Sequence, residues 1–309
     1  MHLFMRTIGF AELNGKQEDK LIKTAVKTAV ANQQLLECKT FKRAIIPVHI
    51  SERTGIYIYG QFDGKKFKTE YYYPYLKGTT ESDNEEISME RHVDKESFEV
   101  VCEEIKAGVT LIFYLQNPVD YLLFREQIPS NDPAYFSLNR KNLAEKEGIA
   151  GKKVTLAGLS VGGMILLPAA KKKTIANSQK LRQEMARKNL IAAAKEGNQD
   201  AIESLTIEDL DIYTSLSRRI VNEDVFSIVE STFMPCGVEC DQYSIMGEII
   251  ELSKEENVIT EEQMYIMKLE CNDLIFDVAV NEADVVGEPA VGRRFKGNVW
   301  LQGSVNFAK

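Results

Sequence analysis

One uncharged run, residues 154–170, restricts what this chain can fold into more than any other segment. It holds seventeen residues without a charged side chain, and lysines flank it at 152–153 and at 171–173. A helix that spans a bilayer needs about 20 predominantly apolar residues. This run is shorter and contains three glycines and a proline. The sequence therefore predicts no membrane span here and favours buried strands.

The same run contains the pattern G-x-S-x-G, with Ser160 at its centre. In α/β-hydrolases this spacing exposes a nucleophilic serine at a sharp turn from strand to helix, beside the amides of an oxyanion hole. That fold takes its base from a histidine that follows the serine, whereas all three histidines of this chain precede Ser160. A serine hydrolase that uses Ser160 is therefore kept only as an alternative.

The preferred interpretation of this run is a β-hairpin. Its turn is predicted at residues 161–163, where two glycines are adjacent, because tight hairpin turns favour residues that tolerate positive φ. Residues 154–159 would then pair with residues 164–167.

The first half of the chain predicts a mixed or antiparallel sheet with helices. A helical spacing of apolar residues covers 16–38, and β-branched and aromatic runs predict strands at 43–50, 56–62, 67–75 and 109–115. Residues 78–96 are rich in acidic side chains and are interpreted as a solvated connection, and residues 98–105 as a short helix. These patterns indicate an N-terminal α+β domain, residues 1–175.

The second half predicts a helical segment followed by strands. Helices are expected over 178–196 and 199–205, within a central helical segment of residues 176–235. Five strands are expected at 243–252, 264–271, 274–280, 294–301 and 304–307, with a helical turn after the third. That order occurs in OB-type barrels and in other small barrels. Residues 236–309 are therefore predicted to form a small β-barrel-like domain.

The net charge of −8 is unevenly distributed along the chain. Residues 221–309 carry a net charge of −11 and the remaining residues +3. This polarity predicts an acidic C-terminal domain that contacts a protein partner. The five cysteines, an odd number, indicate reduced thiols and a cytoplasmic location.

A basic and aromatic stretch, residues 39–78, is the main candidate for ligand binding. It holds eight Lys and Arg against three Asp and Glu, and aromatic faces beside cations suit single-stranded nucleic acid or phosphorylated ligands. The candidate residues are Tyr57, Tyr59 and Lys66. A sheet covered on both faces gives the same alternation and is the favoured interpretation, so nucleic-acid binding is not expected.

Four arginines and the only tryptophan complete the candidate ligand contacts: Arg218, Arg219, Arg293, Arg294 and Trp300. Charged residues at such positions are more often structural. Cys236, Cys240 and Cys271 lack the fourth ligand of a structural zinc site, and no phosphate-binding glycine motif occurs. The sequence therefore predicts no metal and no cofactor.

Five runs of the sequence resemble a known family: residues 1–10, 111–122, 193–220, 223–250 and 292–307. Together they are similar to an uncharacterised family of anaerobic Gram-positive clostridia, a domain of unknown function of about this length. The resemblance spans nearly the whole chain and implies a cytoplasmic bacterial protein, and it transfers no catalytic residue. With the residue patterns, it predicts a non-enzymatic interaction or structural role.

Overall fold

Strands dominate the described chain. The structure, a computed structural model, describes residues 2–64, 66–83, 86–91, 98–103, 110–126, 152–168, 189–191, 193–194, 197–207 and 229–307. Its α+β class confirms the prediction. The helices of the β-rich part include two 3-10 helices, Leu3–Ile8 and Glu282–Asp284, and the α-helices α1 Gly15–Asn32 and α2 Pro118–Glu126. The strands are β1 Leu36–Cys38, β2 Arg43–His49, β3 Thr54–Asp63, β4 Lys66–Leu76, β5 Glu81–Asp83, β6 Glu86–Arg91, β7 Phe98–Glu103, β8 Leu111–Leu115, β9 Lys153–Leu166, β10 Thr232–Pro235, β11 Gln242–Glu256, β12 Gln263–Cys271, β13 Leu274–Asn281, β14 Val285–Val286 and β15 Arg294–Val305.

An antiparallel sheet of four strands, β1 to β4 in order, forms the N-terminal part. Cross-strand partners share a face, so the pair Ile58 and Tyr72 lies on one side and the pair Tyr57 and Tyr73 on the other. Tyr72 hydrogen-bonds to Glu18 of α1. The helix therefore covers one face of the sheet, and a face rich in tyrosine is turned the other way.

Five strands close into a barrel in the second sheet. Its strand order runs β11, β12, β13, β9 and β15, and β15 pairs again with β11. The β13–β9 pair is parallel, whereas the other pairs are antiparallel. An OB-type barrel also has five strands in a Greek-key order. The predicted barrel is confirmed, but the strands predicted at 294–301 and 304–307 are one strand, β15, and β9 from far earlier in the chain supplies the fifth.

The predicted hairpin at residues 154–167 is wrong, because β9 runs through it without a turn. Neither Gly162 nor Gly163 has positive φ. The pairing with β15 instead shifts by one residue between Ser160 and Gly163, which is a β-bulge. A Cβ built on Gly163 would lie 2.4 Å from the ring of Phe295. Gly163 thus allows the buried ring of Phe295 to pack directly on the strand. Pairing within the barrel keeps β9 extended.

Three other local predictions are corrected by tertiary pairing. Residues 98–103 form strand β7 because Phe98, Val100 and Cys102 are buried at alternate positions. Residues 86–91, expected in a solvated connection, pair with β7 as an edge strand. Helix α1 ends before Gln33, which has a left-handed conformation, so that residues 36–38 join the sheet as β1.

A pair of buried amides links the four-stranded sheet to the barrel. Gln116, just after β8, donates to the backbone oxygen of Leu76 at 2.9 Å and to Gln302 of β15 at 2.8 Å. Gln302 in turn donates to the backbone oxygen of Pro74 at 2.9 Å. Buried polar groups with every donor satisfied restrict alternative packings. These bonds fix the end of β4 against β8 and β15.

The chain divides into two compact units. One comprises Met1–Leu166 with Ser231–Lys309, and the other Leu167–Glu230. The β-rich N-terminal and C-terminal parts therefore share one unit, which the sequence analysis divides at residues 176 and 236. In the second unit residues 199–207 are helical, as predicted for 199–205. Within the described residues, no helix has the length and apolarity required to cross a membrane.

Candidate functional site

A cavity of about 300 Å³ lies in the first unit, where the tyrosine-rich face meets the barrel. The N-terminal 3-10 helix, β4, β8, β15 and the turn before β11 contribute its wall. The lining residues are His2, Leu3, Phe4, Tyr71, Tyr72, Tyr73, Tyr114, Glu239, Asp241, Gln242 and Trp300. Pockets of small-molecule sites are mostly apolar and contain a few convergent polar groups, and this cavity has both properties.

Aromatic rings form a continuous wall around this cavity. Tyr73 meets Tyr114 edge to face with ring centroids 4.8 Å apart, and Tyr114 lies 5.1 Å from Trp300. Trp300 also lies 5.2 Å from Phe4 and 5.0 Å from His2. Centroid distances of 4.5–7 Å are those of favourable aromatic pairs. The rings thus hold one another in place and form a pre-organised surface.

Local structure explains how these rings converge. Tyr71 and Tyr73 are two residues apart on β4, so the pleat turns both to one face. The N-terminal 3-10 helix, which carries Phe4, is fixed where it ends at Gly9: Asn257 donates to the Gly9 oxygen at 3.0 Å, and Thr260 donates to it at 2.5 Å. Segments distant in sequence are therefore held at one wall.

Asp241 is the buried charged group of this cavity. Its residue is 7% exposed, and its Oδ2 accepts a 2.6 Å hydrogen bond from Trp300 Nε1. Burial raises the pKa of Asp241 to about 6; the Trp300 hydrogen bond opposes this shift, and the negative charges of Glu99 and Glu239 add to it. Among the residues that the structure describes, no Lys or Arg forms an ion pair with Asp241. Within the described part of the chain, the carboxylate thus has no compensating cation.

We expect the Asp241 carboxyl to make the free energy of unfolding depend on pH. Relative to Asp241→Asn, the free energy of unfolding of the wild-type protein should fall by about 2–3 kcal/mol between about pH 4 and about pH 6. In this range the folded state retains a proton that the unfolded chain has already lost, so rising pH favours unfolding. Urea unfolding of both proteins across this range measures the difference. Parallel pH profiles would show that the folded protein does not raise the pKa.

The tyrosine hydroxyls of the cavity stay protonated. Burial raises the pKa of Tyr71, Tyr73 and Tyr114 well above the usual value for a phenol. Tyr73 donates to the backbone oxygen of Gln116 at 3.0 Å, and the hydroxyls of Tyr71 and Tyr114 hydrogen-bond to each other. The phenols are therefore anchored to the fold, and their neutral rings face the cavity.

Comparison with known proteins gives one result at the level of family. A family model described as a domain of unknown function from an E. rectale gene, DUF3881, matches residues 5–303. The chain belongs to the DUF3881 family. No curated protein and no solved structure matches the chain. The resemblance noted in the sequence is thereby confirmed. The lining residues from Tyr71 to Trp300 fall within the matched range, and the three at residues 2–4 precede it.

Ser160 of this DUF3881 chain lies inside the barrel wall. It is 0% exposed, and its Oγ lies 2.8 Å from the backbone oxygens of both Gly162 and Asn298. These two carbonyls flank the β-bulge between β9 and β15, so the hydroxyl donates to groups that the bulge removes from regular pairing. A nucleophile elbow requires a strand-to-helix turn, and here the serine lies within a continuous strand. The Ser160 hydroxyl therefore stabilises the backbone of the bulge.

The other predicted site residues of the DUF3881 chain are dispersed. Tyr57 stacks on Tyr75 at 4.0 Å and is half-buried, and Tyr59 is fully buried. Lys66 lies at the hairpin end of β4, opposite Asp63. Tyr75 thus covers one face of the Tyr57 ring, and Tyr59 belongs to the core.

The two predicted arginines that the structure describes, Arg293 and Arg294, also lie outside the cavity. Arg293 donates to the backbone oxygen of Glu288 at 2.5 Å, and Arg294 is buried in β15 near the sulfur of Met246. Arg218 and Arg219 lie outside the described residues. Of the predicted contacts that fall within the described residues, only Trp300 lines the cavity. Within the described chain no cluster of three His, Cys, Asp or Glu side chains could hold a metal ion.

Sequence reasoning missed Asp241, Tyr114, His2 and Phe4. A single aspartate in a turn and aromatic residues near a terminus carry no spacing signal. The nearest signal was the cluster at 71–73, which the sequence analysis placed on an aromatic sheet.

Proposed function

We propose that this protein is a cytoplasmic, non-enzymatic binding protein in which the aromatic cavity holds a small organic ligand. One observation carries the proposal: a cavity of about 300 Å³ walled by packed rings contains a buried carboxylate that no described Lys or Arg compensates. A buried charge is costly unless it is paired. A bound ligand that contacts both the rings and the carboxylate would offset that cost.

The chemistry of the wall supports binding over catalysis. Phenols with raised pKa values and hydrogen bonds to the fold are poor nucleophiles and poor bases, and ring faces contribute contact area and orientation. The protein partner of the acidic C-terminal region stays a prediction.

Intrinsic fluorescence offers a direct test, because Trp300 is the only tryptophan of the chain and lines the cavity. The full chain is titrated with three probes of similar size and different charge: benzyl alcohol, benzoate and benzyltrimethylammonium. We expect a saturable change in Trp300 emission with at least one probe. If none of the three changes the emission, the proposal fails.

Two leucine variants locate the binding. Leu3 lines the cavity and is 64% exposed, whereas Leu167 is 74% exposed and does not line it. Leu3→Ala removes apolar contact at the rim and should weaken binding by about three- to tenfold. Leu167→Ala is the matched control and should leave binding unchanged. Equal effects of both substitutions would place the probe elsewhere.

A further inference from the structure

We infer that the ligand of this cavity is a small organic monocation that carries a fully N-methylated ammonium group. The inference rests on the proposed function and names the chemical class of the ligand. It follows from the charge of the lining residues, from the ring faces and from the scarcity of hydrogen-bond acceptors.

The charges around the cavity favour a cation. The lining residues include two carboxylates, Asp241 and Glu239, and among the described lining residues none is a lysine or an arginine. Asp241 is buried beside the indole of Trp300, so its charge acts across a poorly solvated space. An anion would be repelled here, and a neutral ligand would leave the carboxylate uncompensated. A cation supplies the missing opposite charge.

The rings favour a diffuse cation over a compact one. The faces of aromatic rings are electronegative and attract cations within about 6 Å, and tryptophan attracts them most strongly. Trp300, Tyr114 and Tyr73 form a connected series of such rings. The phenols stay neutral because burial opposes their ionisation, so the tyrosines act through their faces.

The few acceptors in the cavity exclude a primary ammonium group as the preferred ligand. A lysine-type ammonium carries three N–H donors and is strongly hydrated. The Asp241 carboxylate already accepts from Trp300, and apart from Asp241 and Glu239 the wall consists mainly of aromatic and aliphatic groups, which offer such donors few acceptors. Donors left unsatisfied in a buried site are costly. A trimethylammonium group has no N–H to satisfy and presents only methyl groups to the rings.

The test compares two molecules of the same shape. In 3,3-dimethylbutan-1-ol a neutral carbon atom replaces the charged nitrogen of choline. Trp300 emission of the full chain is titrated with each at matched ionic strength. We expect choline to bind at least about tenfold more tightly. This comparison uses the wild-type protein and does not depend on whether any variant folds.

Two carboxylate variants test whether the preference for choline over the neutral alcohol arises in the cavity. Asp241→Asn keeps an acceptor for Trp300 and removes the charge, so the preference for choline should fall to about threefold or less. Glu288→Gln removes one negative charge at an exposed residue outside the cavity and should leave the preference unchanged. Titration with a peptide that bears trimethyl-lysine tests a second source of the trimethylammonium group. Comparison with choline distinguishes a free solute from a modified protein as the ligand.

The outcomes separate this inference from the proposed function. Equal binding of choline and 3,3-dimethylbutan-1-ol, or tighter binding of the neutral alcohol, overturns the inference that the ligand is a cation. The proposal that the cavity binds a ligand would still stand. Binding of benzyl alcohol or benzoate with no binding of choline overturns it in the same way. If no probe binds at all, the proposed function fails together with the inference.

Discussion

Replacing Asp277 with alanine should lower the free energy of unfolding by about 3–5 kcal/mol. Asp277 of β13 is 1% exposed, and its Oδ2 lies 2.8 Å from Arg53 Nη2. The same oxygen accepts from the backbone N–H and the hydroxyl of Thr79, at 2.7 Å and 2.8 Å. Alanine removes the oxygen that accepts all three bonds, and it leaves the Arg53 guanidinium without this counter-charge. One carboxylate thus connects the turn before β3, the segment after β4 and the barrel.

A second ion pair on the barrel provides the control. Glu251 receives a 2.7 Å hydrogen bond from Lys268, but its side chain is 67% exposed, so Glu251→Ala should change stability by less than about 1 kcal/mol. Asp277→Asn should fall between the two, because an amide oxygen can still accept from Thr79. Urea unfolding of the three variants measures the order. An Asp277→Ala loss no larger than that of Glu251→Ala would refute this role for Asp277.

Adding a single methyl group at Gly163 should destabilise the protein by about 1–3 kcal/mol. An ideal Cβ at this position lies 2.4 Å from Phe295 Cε2 and 2.8 Å from the backbone oxygen of Lys296. Phe295 is fully buried, so its ring cannot move aside without opening the core. The effect tests the close approach of Phe295 to β9, which leaves no room for a Cβ at this position.

Gly15→Ala is the matched control for this substitution. Gly15 begins α1, and a Cβ built on it meets nothing within 4 Å. Alanine is also the better helix former, so this variant should be as stable as the wild type or more so. Thermal unfolding compares both variants. Equal stability of Gly163→Ala and wild type would contradict the close packing of the Phe295 ring on Gly163.

The sequence predicted those parts of the fold that depend on local pattern. Alternating β-branched and aromatic residues located β2, β3 and β4, and a fully apolar run located β8. It failed where pairing between distant segments decides the structure. Residues 154–166 pair with β13 and β15, more than a hundred residues away in the chain, and those partners favour one long strand over a local turn.

The candidate site shows the same limit. The sequence analysis flagged Trp300 as a ligand contact and residues 71–73 as part of an aromatic sheet, since large aromatic residues carry information on their own. Asp241 gave no signal, because one aspartate in a turn is ordinary until the fold places it beside Trp300. The cavity unites residues 2 to 4, 71 to 73, 114, 239 to 242 and 300, and only the closed barrel brings them together.

The indole resonance of Trp300 offers the most direct measurement of whether the aromatic cavity is a ligand site. Since the chain has one tryptophan, its ¹⁵N–¹H spectrum contains a single indole signal, and that N–H donates to Asp241 inside the cavity. The account predicts a saturable shift of this signal when choline is added at constant ionic strength, and no shift with an equal concentration of sodium ions. An indole signal that does not move with choline or with any of the benzyl probes would contradict it.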